Sequence, residues 1–364
     1  MRVLQVINSL DTGGAEKLLL ETIPKYRNKG ITMDLLLLNG APHPFLQEFR
    51  KVCDAKVILL GMGSVYNPCL ILKLKRYLKN YDVIHVHLFP ALYWVALAKI
   101  VTRSQTPLIF TEHNTTNKRR SHFLLKHIDK VIYRKYTKII TIAPEVDRLL
   151  KAYLGGLDSK FHLIPNGVDV EKIHRTEPAN RNEFTAALST RILVQVASFT
   201  PQKDQKTLIE ALRLLKTPVK LLLVGQGPLQ TECKDLVKKL KLQEKVQFLG
   251  QRMDVPALLK MADIIVLSTH YEGLSLSSME ALASGKPFVA SNAPGLGGVV
   301  EGAGVLFPTG DAVQLAREIE QLLSDSKHYD RIANLGFERA KHYSQEKMIE
   351  KHRNVYNQLC QSKS

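Results

Sequence analysis

Cysteine is scarce in this chain and tryptophan scarcer: four of the first and one of the second in 364 residues. Cys53, Cys69, Cys233 and Cys360 are scattered without a C-x-x-C pair. That spacing supports neither a disulfide framework nor a zinc site and suits a reducing compartment. Also missing is an apolar run long enough to cross a bilayer. The longest, LFPALYWVALAKIV (Leu88–Val101), is interrupted by Pro90 and Lys99 and reaches about half to two-thirds of a span. The N-terminus, MRVLQVINSLDTGG, carries one early charge and a short apolar run but no small-residue cleavage site, so it predicts a first strand and not a signal peptide. Repeats and low-complexity tracts are absent, and the 45% hydrophobic and 23% charged content is that of a soluble globular protein.

Acidic residues are outnumbered, 34 against 51 Lys and Arg, for a formal net charge of +17. That excess asks for a polyanionic neighbour: nucleic acid, an anionic membrane surface or phosphorylated substrates. The segment KRRSHFLLKHIDKVIYRKYTK (Lys118–Lys138) spaces Leu124, Ile128, Val131 and Ile132 at helical intervals among its cations. It predicts a basic amphipathic helix of the kind that lies on anionic lipid. LILKLKRYLKNY (Leu70–Tyr81) has the same character. Both also read as ordinary domain helices with a solvated face. An anionic membrane surface is the favoured partner, and nucleic acid is not expected.

At 364 residues the chain exceeds what one hydrophobic core supports, so two domains are expected. RVLQVI, MDLLLL, AKVILL, DVIHVH, PLIFTEH, KIITIA and FHLIP read as strands of the first half. RILVQVAS, VKLLLVG, KVQFLG, DIIVLS, PFVAS and GVLFP read as strands of the second. Several are apolar on both faces and helical patterns intervene, which is the signature of doubly wound parallel α/β sheets. The polar, Pro-containing stretch after Asn166-Gly167 marks the join. The expected domains are 1–170 and 171–345, with 346–364 a C-terminal helix returning to the first domain.

Ligands of parallel sheets collect at the carboxyl ends of strands. There the sequence offers Gly13 and Gly14 before a helix, Gly225 and Gly227 in VGQGPLQ, and Lys203 in TPQKDQ. Paired glycines are common in turns, and a loop lysine is by default solvated; each is weak alone. His85 and His87 alternate along one strand and so point to one side; packing or acceptor contact is expected of them, not metal binding. YEGLSLSSMEALASGKP (Tyr271–Pro287) is more informative. Ser277-Ser278-Met279-Glu280 fits a capping box, so Glu280 would cap a helix beginning near Ser277. Residues 273–278 would then present unpaired N–H groups at a dipole-positive helix end, a seat for a diphosphate. Carboxylates beside phosphates make sense when aimed at hydroxyls, since each accepts two hydrogen bonds and can grip a diol. Glu280 would hold a ribose and Glu272 a sugar.

The E-x7-E spacing of Glu272 and Glu280, together with TGGAEK, VIHVH, TEHN, IPNGVD, PQKD, VGQGPLQ and FLGQRMDVPALL in consistent order from Arg2 to Asp311, resembles the retaining nucleotide-sugar glycosyltransferases of family four. The resemblance implies the GT-B fold, two Rossmann-like domains facing a cleft. It implies donor binding mainly by the C-terminal domain, acceptor binding by the N-terminal one, and no metal. Carried over, Glu272 meets donor-sugar hydroxyls, Glu280 the ribose, and the backbone of Gly273, Leu274, Ser275, Leu276 and Ser277 the diphosphate. Lys203 matches the family's diphosphate lysine, and His113 of TEHN its active-site histidine. Gly14 matches the glycine loop near diphosphate and acceptor, with Gly13, His85, His87 and His113 facing the acceptor. Gly225 falls at a second donor-side turn, and Gly250, Gln251 and Arg252 where the base is chosen. Ser198 stands where the family usually carries an arginine, which rests more of the leaving-group stabilisation on Lys203. The absence of any D-x-D pair agrees with metal independence. The expected activity is transfer of a hexose or N-acetylhexosamine from a nucleotide diphosphate sugar, UDP-linked by preference, to a glycan or polyprenyl-diphosphate-linked oligosaccharide of surface polysaccharide. The expected place is cytoplasmic, peripheral on the inner face of the cell membrane, with the nucleotide-sugar as co-substrate and no cofactor. The alternatives are a GDP-mannose-dependent mannosyltransferase, a related UDP-sugar epimerase or hydrolase, and a non-catalytic polyanion binder.

Overall fold

The computed structural model describes residues 1–113 and 125–361 in full, with backbone alone at 123 and 124. Lys118 to His122 of the basic segment lie outside the described residues, as does Asn114 of TEHN. The chain forms two compact units: Met1–Asn166 together with the C-terminal stretch from Lys347, and Gly167–Glu346.

The first unit is built on seven parallel strands: β1 (Arg2–Ile7), β2 (Thr32–Leu37), β3 (Val57–Leu59), β4 (Val83–His87), β5 (Leu108–Glu112), β6 (Lys138–Thr141) and β7 (Phe161–Leu163). Their spatial order is β3-β2-β1-β4-β5-β6-β7. The second unit has β8 (Arg191–Val196), β9 (Val219–Val224), β10 (Val246–Gly250), β11 (Ile264–Leu267), β12 (Phe288–Ser291) and β13 (Val305–Phe307), in the order β10-β9-β8-β11-β12-β13. Every strand anticipated from the sequence is present. Their legibility has a simple cause: helices cover both faces, so strands such as Thr32–Leu37 and Val219–Val224 are buried along most of their length and read as largely apolar runs. In each sheet the order reverses once, at β1/β4 and at β8/β11, and a crevice opens at such a switch point beyond the carboxyl ends of the two strands.

Two helical expectations are corrected. Residues 70–81 do not form one amphipathic helix: a short helix, Leu70–Leu74, passes into a 3₁₀ turn, Lys75–Tyr77. Leu70, Leu74 and Leu78 turn inward while Leu72 stays 65% exposed. In the helix Phe123–Arg134 the apolar stripe is split. Ile132 is buried, yet Ile128 and Val131 are 47% and 49% exposed. The helix is turned that way by Asp129, which is fully buried and accepts hydrogen bonds from the Tyr93 and Tyr153 hydroxyls at 2.5 and 2.9 Å. A buried carboxylate needs such partners, and they dictate the rotation that leaves two aliphatic side chains outward. No described helix is long and apolar enough to cross a membrane.

Candidate active site

Two of the residues singled out in the second unit, Lys203 and Glu272, meet at its switch point. Lys203 lies in the loop after β8, and its backbone bridges Thr269, just beyond β11. Its ammonium forms a short ion pair with the Glu272 carboxylate. The side chains are 11% and 4% exposed respectively. Gln202 donates to the other Glu272 oxygen at 3.3 Å and to the Tyr271 carbonyl at 2.7 Å. The Thr269 hydroxyl in turn donates to the Gln202 carbonyl at 2.9 Å. The sequence assigned Lys203 and Glu272 to different parts of one ligand; in the structure they hold each other. Gln202 went unremarked although it adjoins Lys203 in the same motif.

Beyond Glu272 the chain runs into the helix Leu276–Ala283, capped by Ser275, whose side chain accepts from the Ser278 N–H at 3.4 Å. This corrects the capping-box reading. The helix starts two residues before the place that Ser277 and Glu280 implied, so Glu280 sits in the second turn, where it is buried. The misplaced start came from S-x-x-E being matched at Ser277 when the cap is Ser275, whose third neighbour is another serine. Residues 273–277 therefore lead into and over the first turn, as a diphosphate seat needs, with Leu274 turned into the core. One backbone contact fixes the approach of Glu272. Its N–H donates to the Pro294 carbonyl at 2.8 Å, and Gly295, at φ +79°, lies so close that a Cβ there would meet the Glu272 carbonyl oxygen at 2.0 Å. Only glycine fits.

The other turns that the sequence reading gave to the donor lie at the exits of β8, β9 and β10. Gly225, at φ +133°, packs against the Ala197 carbonyl, 2.1 Å from where its Cβ would be. Its N–H donates to the Gly250 carbonyl at 2.8 Å, and the Phe199 N–H to the Gln226 carbonyl at 3.0 Å. Three loops are thereby laced together, and the glycine theme at 225 and 227 has a packing cause. Ser198 is exposed, and its carbonyl accepts from Gln205 at 3.0 Å. Arg252 is committed to Asp254 through two bonds of 2.7 and 2.6 Å. That pairing holds the Asp254 carboxyl below its usual range, the Arg252 hydrogen bond being the chief cause. Gln251, beside it, is exposed.

In the first unit Gly13 caps the helix Gly14–Asn28, and the Glu16 carboxylate folds back over it, 2.1 Å from a Gly13 Cβ position. Burial, opposed by a bond to its own backbone N–H and reinforced by Asp11, raises the Glu16 carboxyl above its ordinary value. His113, half-buried at the end of β5, has Nε2 at 3.1 Å from His87 Nδ1. His87 Nε2 lies 2.8 Å from Gln5 Oε1. His85 is bonded through Nδ1 to Tyr356 and through Nε2 to Thr111, at 2.7 and 2.6 Å. Every ring nitrogen of His85 and His87 is thus used inside the protein, and both rings are 3% exposed or less. Of the packing or acceptor contact expected of these two, the structure shows the packing, and His113 is the member of the group that retains exposed surface. Burial pushes all of them down, His113 to about 4, with His85 and His87 well below the ordinary imidazole value and neighbouring histidines adding to the effect. Among the described residues no group of three or more His, Cys, Asp or Glu side chains is placed to hold a metal.

Residues 12–172 match the Glycosyltransferase Family 4 domain and residues 176–339 the Glycosyl transferases group 1 domain. The chain is 27% identical over 299 residues to the N-acetyl-alpha-D-glucosaminyl L-malate synthase of Bacillus anthracis, spanning 76% of this chain and 75% of that one. It is 23% identical over 304 residues to the UDP-Gal:alpha-D-GlcNAc-diphosphoundecaprenol alpha-1,3-galactosyltransferase of Escherichia coli, spanning 78% and 77%. The solved structure of Anabaena HepE in complex with UDP and glucose superposes with a TM-score of 0.85 at 22% identity, over 98% of this chain and 100% of that one. With a family 4 domain followed by a group 1 domain across nearly its whole length, each on its own Rossmann-like sheet, this chain belongs to the GT-B glycosyltransferases.

Proposed function

We propose that the protein transfers a hexose or N-acetylhexosamine, with retention and without a metal, from a UDP-sugar to a glycan or lipid-linked oligosaccharide acceptor of surface-polysaccharide assembly. The observation that carries the reading is the meeting of Lys203 and Glu272 at the β8/β11 switch point, directly before the N-terminus of the helix Leu276–Ala283. On donor binding, Lys203 exchanges its carboxylate partner for the diphosphate, and Glu272 turns its oxygens to sugar hydroxyls. Glu280 takes the ribose. The acceptor oxygen attacks the anomeric carbon from the face that the diphosphate leaves. The carbon–oxygen bond to the β-phosphate breaks, and the acceptor proton passes to the departing phosphate oxygen. The rate enhancement comes from charge fixed in advance: one ammonium and a helix N-terminus facing the oxygen on which negative charge grows.

The donor is favoured to be UDP-linked because one relative is a UDP-galactose enzyme and one structural neighbour holds UDP and glucose. The deciding measurement is a melting-temperature screen with UDP, GDP and ADP and their sugars, since a ligand bound only by the native state raises the transition. A rise of several degrees with UDP and its sugars alone is expected. A response to GDP and GDP-mannose instead would make it a mannosyltransferase, and no response to any nucleotide would end the assignment.

The acceptor reading draws on the undecaprenol-linked substrate named for the Escherichia coli relative. It draws also on the outward Leu72, Ile128 and Val131 beside Lys75, Arg76, Lys126 and Lys130. Aliphatic side chains among cations suit an anionic lipid surface. Sedimentation with vesicles of phosphatidylglycerol and phosphatidylethanolamine should retain the protein at low salt, and an Ile128→Glu/Val131→Glu variant should stay in solution. Equal retention of both would remove this face from the membrane.

A further inference from the structure

The buried polar group beneath His113 is large for an interior, and the members named here are uncharged side chains. The proton arrangement of its near end follows from which atoms face each other. Gln5 Nε2 lies 3.2 Å from the Tyr356 hydroxyl and 3.5 Å from the Met33 sulfur. A thioether only accepts, so the amide nitrogen faces Met33 and the amide oxygen faces His87. His87 must therefore carry its proton on Nε2 to bond Gln5 Oε1 at 2.8 Å. That leaves His87 Nδ1 bare, and it can only accept from His113 Nε2–H across 3.1 Å. His113 is left with a bare Nδ1.

At the far end Tyr356 accepts from Gln5, and its hydroxyl lies 2.7 Å from His85 Nδ1, with His85 Nε2 2.6 Å from the Thr111 hydroxyl. The Tyr26 hydroxyl lies 2.6 Å from His352 Nδ1. His352 Nε2 is buried without a hydrogen-bond partner. A bare imidazole nitrogen is the less costly group to leave unpaired there, since an N–H would have lost its bond to water. Tyr356 and His352 both lie on the C-terminal helix Gln345–Gln361.

We propose that Gln5, His87 and Tyr356 are positioning residues that lock His113 in the Nε2–H tautomer, keeping its Nδ1 lone pair as the acceptor for a substrate hydroxyl. The proposal rests on the reading of His113 as an active-site group. It also gives the C-terminal helix a chemical task beyond packing, because Tyr356, 351 residues from Gln5, anchors the amide that sets the chain of tautomers. Burial, which depresses the protonation of all four histidines, keeps the relay in the neutral form in which tautomers have meaning.

The test uses full-length protein labelled with ¹⁵N-histidine. Long-range ¹H–¹⁵N spectra separate Nδ1–H from Nε2–H rings, and His113 is assigned from the signal lost in His113→Gln. The native protein should show His87 and His113 both as Nε2–H. In Gln5→Met the acceptor for His87 is gone, and an Nδ1–H population should appear at His113. UDP release from UDP-glucose or UDP-N-acetylglucosamine should then fall about ten- to a hundredfold in kcat with KM unchanged, the scale of losing a partner that orients a metal-bound histidine. Tyr356→Phe, a smaller change, should release the amide from the other side and give an intermediate result. An Nδ1–H tautomer at His113 in the native protein, or a tautomer switch in Gln5→Met without loss of kcat, overturns the proposal. Full activity in His113→Gln overturns it by a separate route, because the active-site reading fails while the tautomer assignment stands.

Discussion

Exchanging Lys203 for methionine is expected to lower kcat by about 10²–10³-fold, the cost of losing one preorganised group that meets developing charge. UDP released from a bound UDP-sugar is the readout. The same change should destabilise the second unit by about 3–5 kcal/mol, because it strands a buried carboxylate. Both effects trace to one contact: Lys203 and Glu272 are an ion pair whose side chains are 11% and 4% exposed. Glu272→Gln is the mirror case. It leaves Lys203 facing an amide, so stability falls again, and the donor-sugar contact is weakened at the same time. Stability and rate separate in the double variant Lys203→Met/Glu272→Gln. Replacing both members of a buried pair is often close to neutral, so the melting temperature should return toward that of the native protein while kcat stays at the floor. A double variant that regained activity with stability would reduce the pair to scaffold. A Lys203→Met protein with native kcat would remove the lysine from the diphosphate.

The two sheets were legible because their central strands, such as Arg2–Ile7 and Ile264–Leu267, are buried on both faces, which writes a largely apolar word into the sequence. The site was legible in part, because E-x7-E, PQKD and the glycine turns are local patterns. What stayed hidden was either long-range or a matter of phase. Gln5 and Tyr356 bond across 351 residues, and no local pattern announces that. Nothing local marks Gly295 in the sequence; its role shows only in its contact with the Glu272 carbonyl. Ser275 and Ser277 are both acceptable caps, and only the backbone shows that the first wins. The helix Phe123–Arg134 misled for a related reason. Its apolar residues are spaced as a core-facing stripe, but one buried carboxylate with two tyrosine partners sets the rotation. Propensity and periodicity are weak against a buried charge that must be satisfied.

Acid is expected to unfold the first unit at pH values where the second still stands. In the native protein burial depresses His85 and His87 well below the ordinary imidazole value, His113 to about 4 and His352 to about 3. In the unfolded chain each titrates near 6.5. The unfolded state thus binds protons that the native state refuses, so stability is whole above about pH 7 and declines as the pH drops through 6.5. The decline levels off only below the native values. At pH 5 the loss is about 2 kcal/mol from His352 alone, and His85, His87 and His113 add to it in the same direction. Against the whole stability of an ordinary domain, about 5–15 kcal/mol, that is a large share. The lone tryptophan makes the prediction specific. Trp94 lies in the first unit, its indole N–H bonded to the Val65 carbonyl at 2.7 Å, so its fluorescence reports the unit that contains the histidines. Urea midpoints by fluorescence should fall steeply between pH 7.5 and 5. Far-UV circular dichroism should split into two transitions, the later one belonging to the second unit. His352→Leu, which keeps the bulk and removes one titrating ring, should recover about 2 kcal/mol of the loss between those pH values. A fluorescence midpoint that stays constant from pH 7.5 to 5 would mean that the histidines take up protons in the folded chain, and the neutral relay beneath His113 would fall with it.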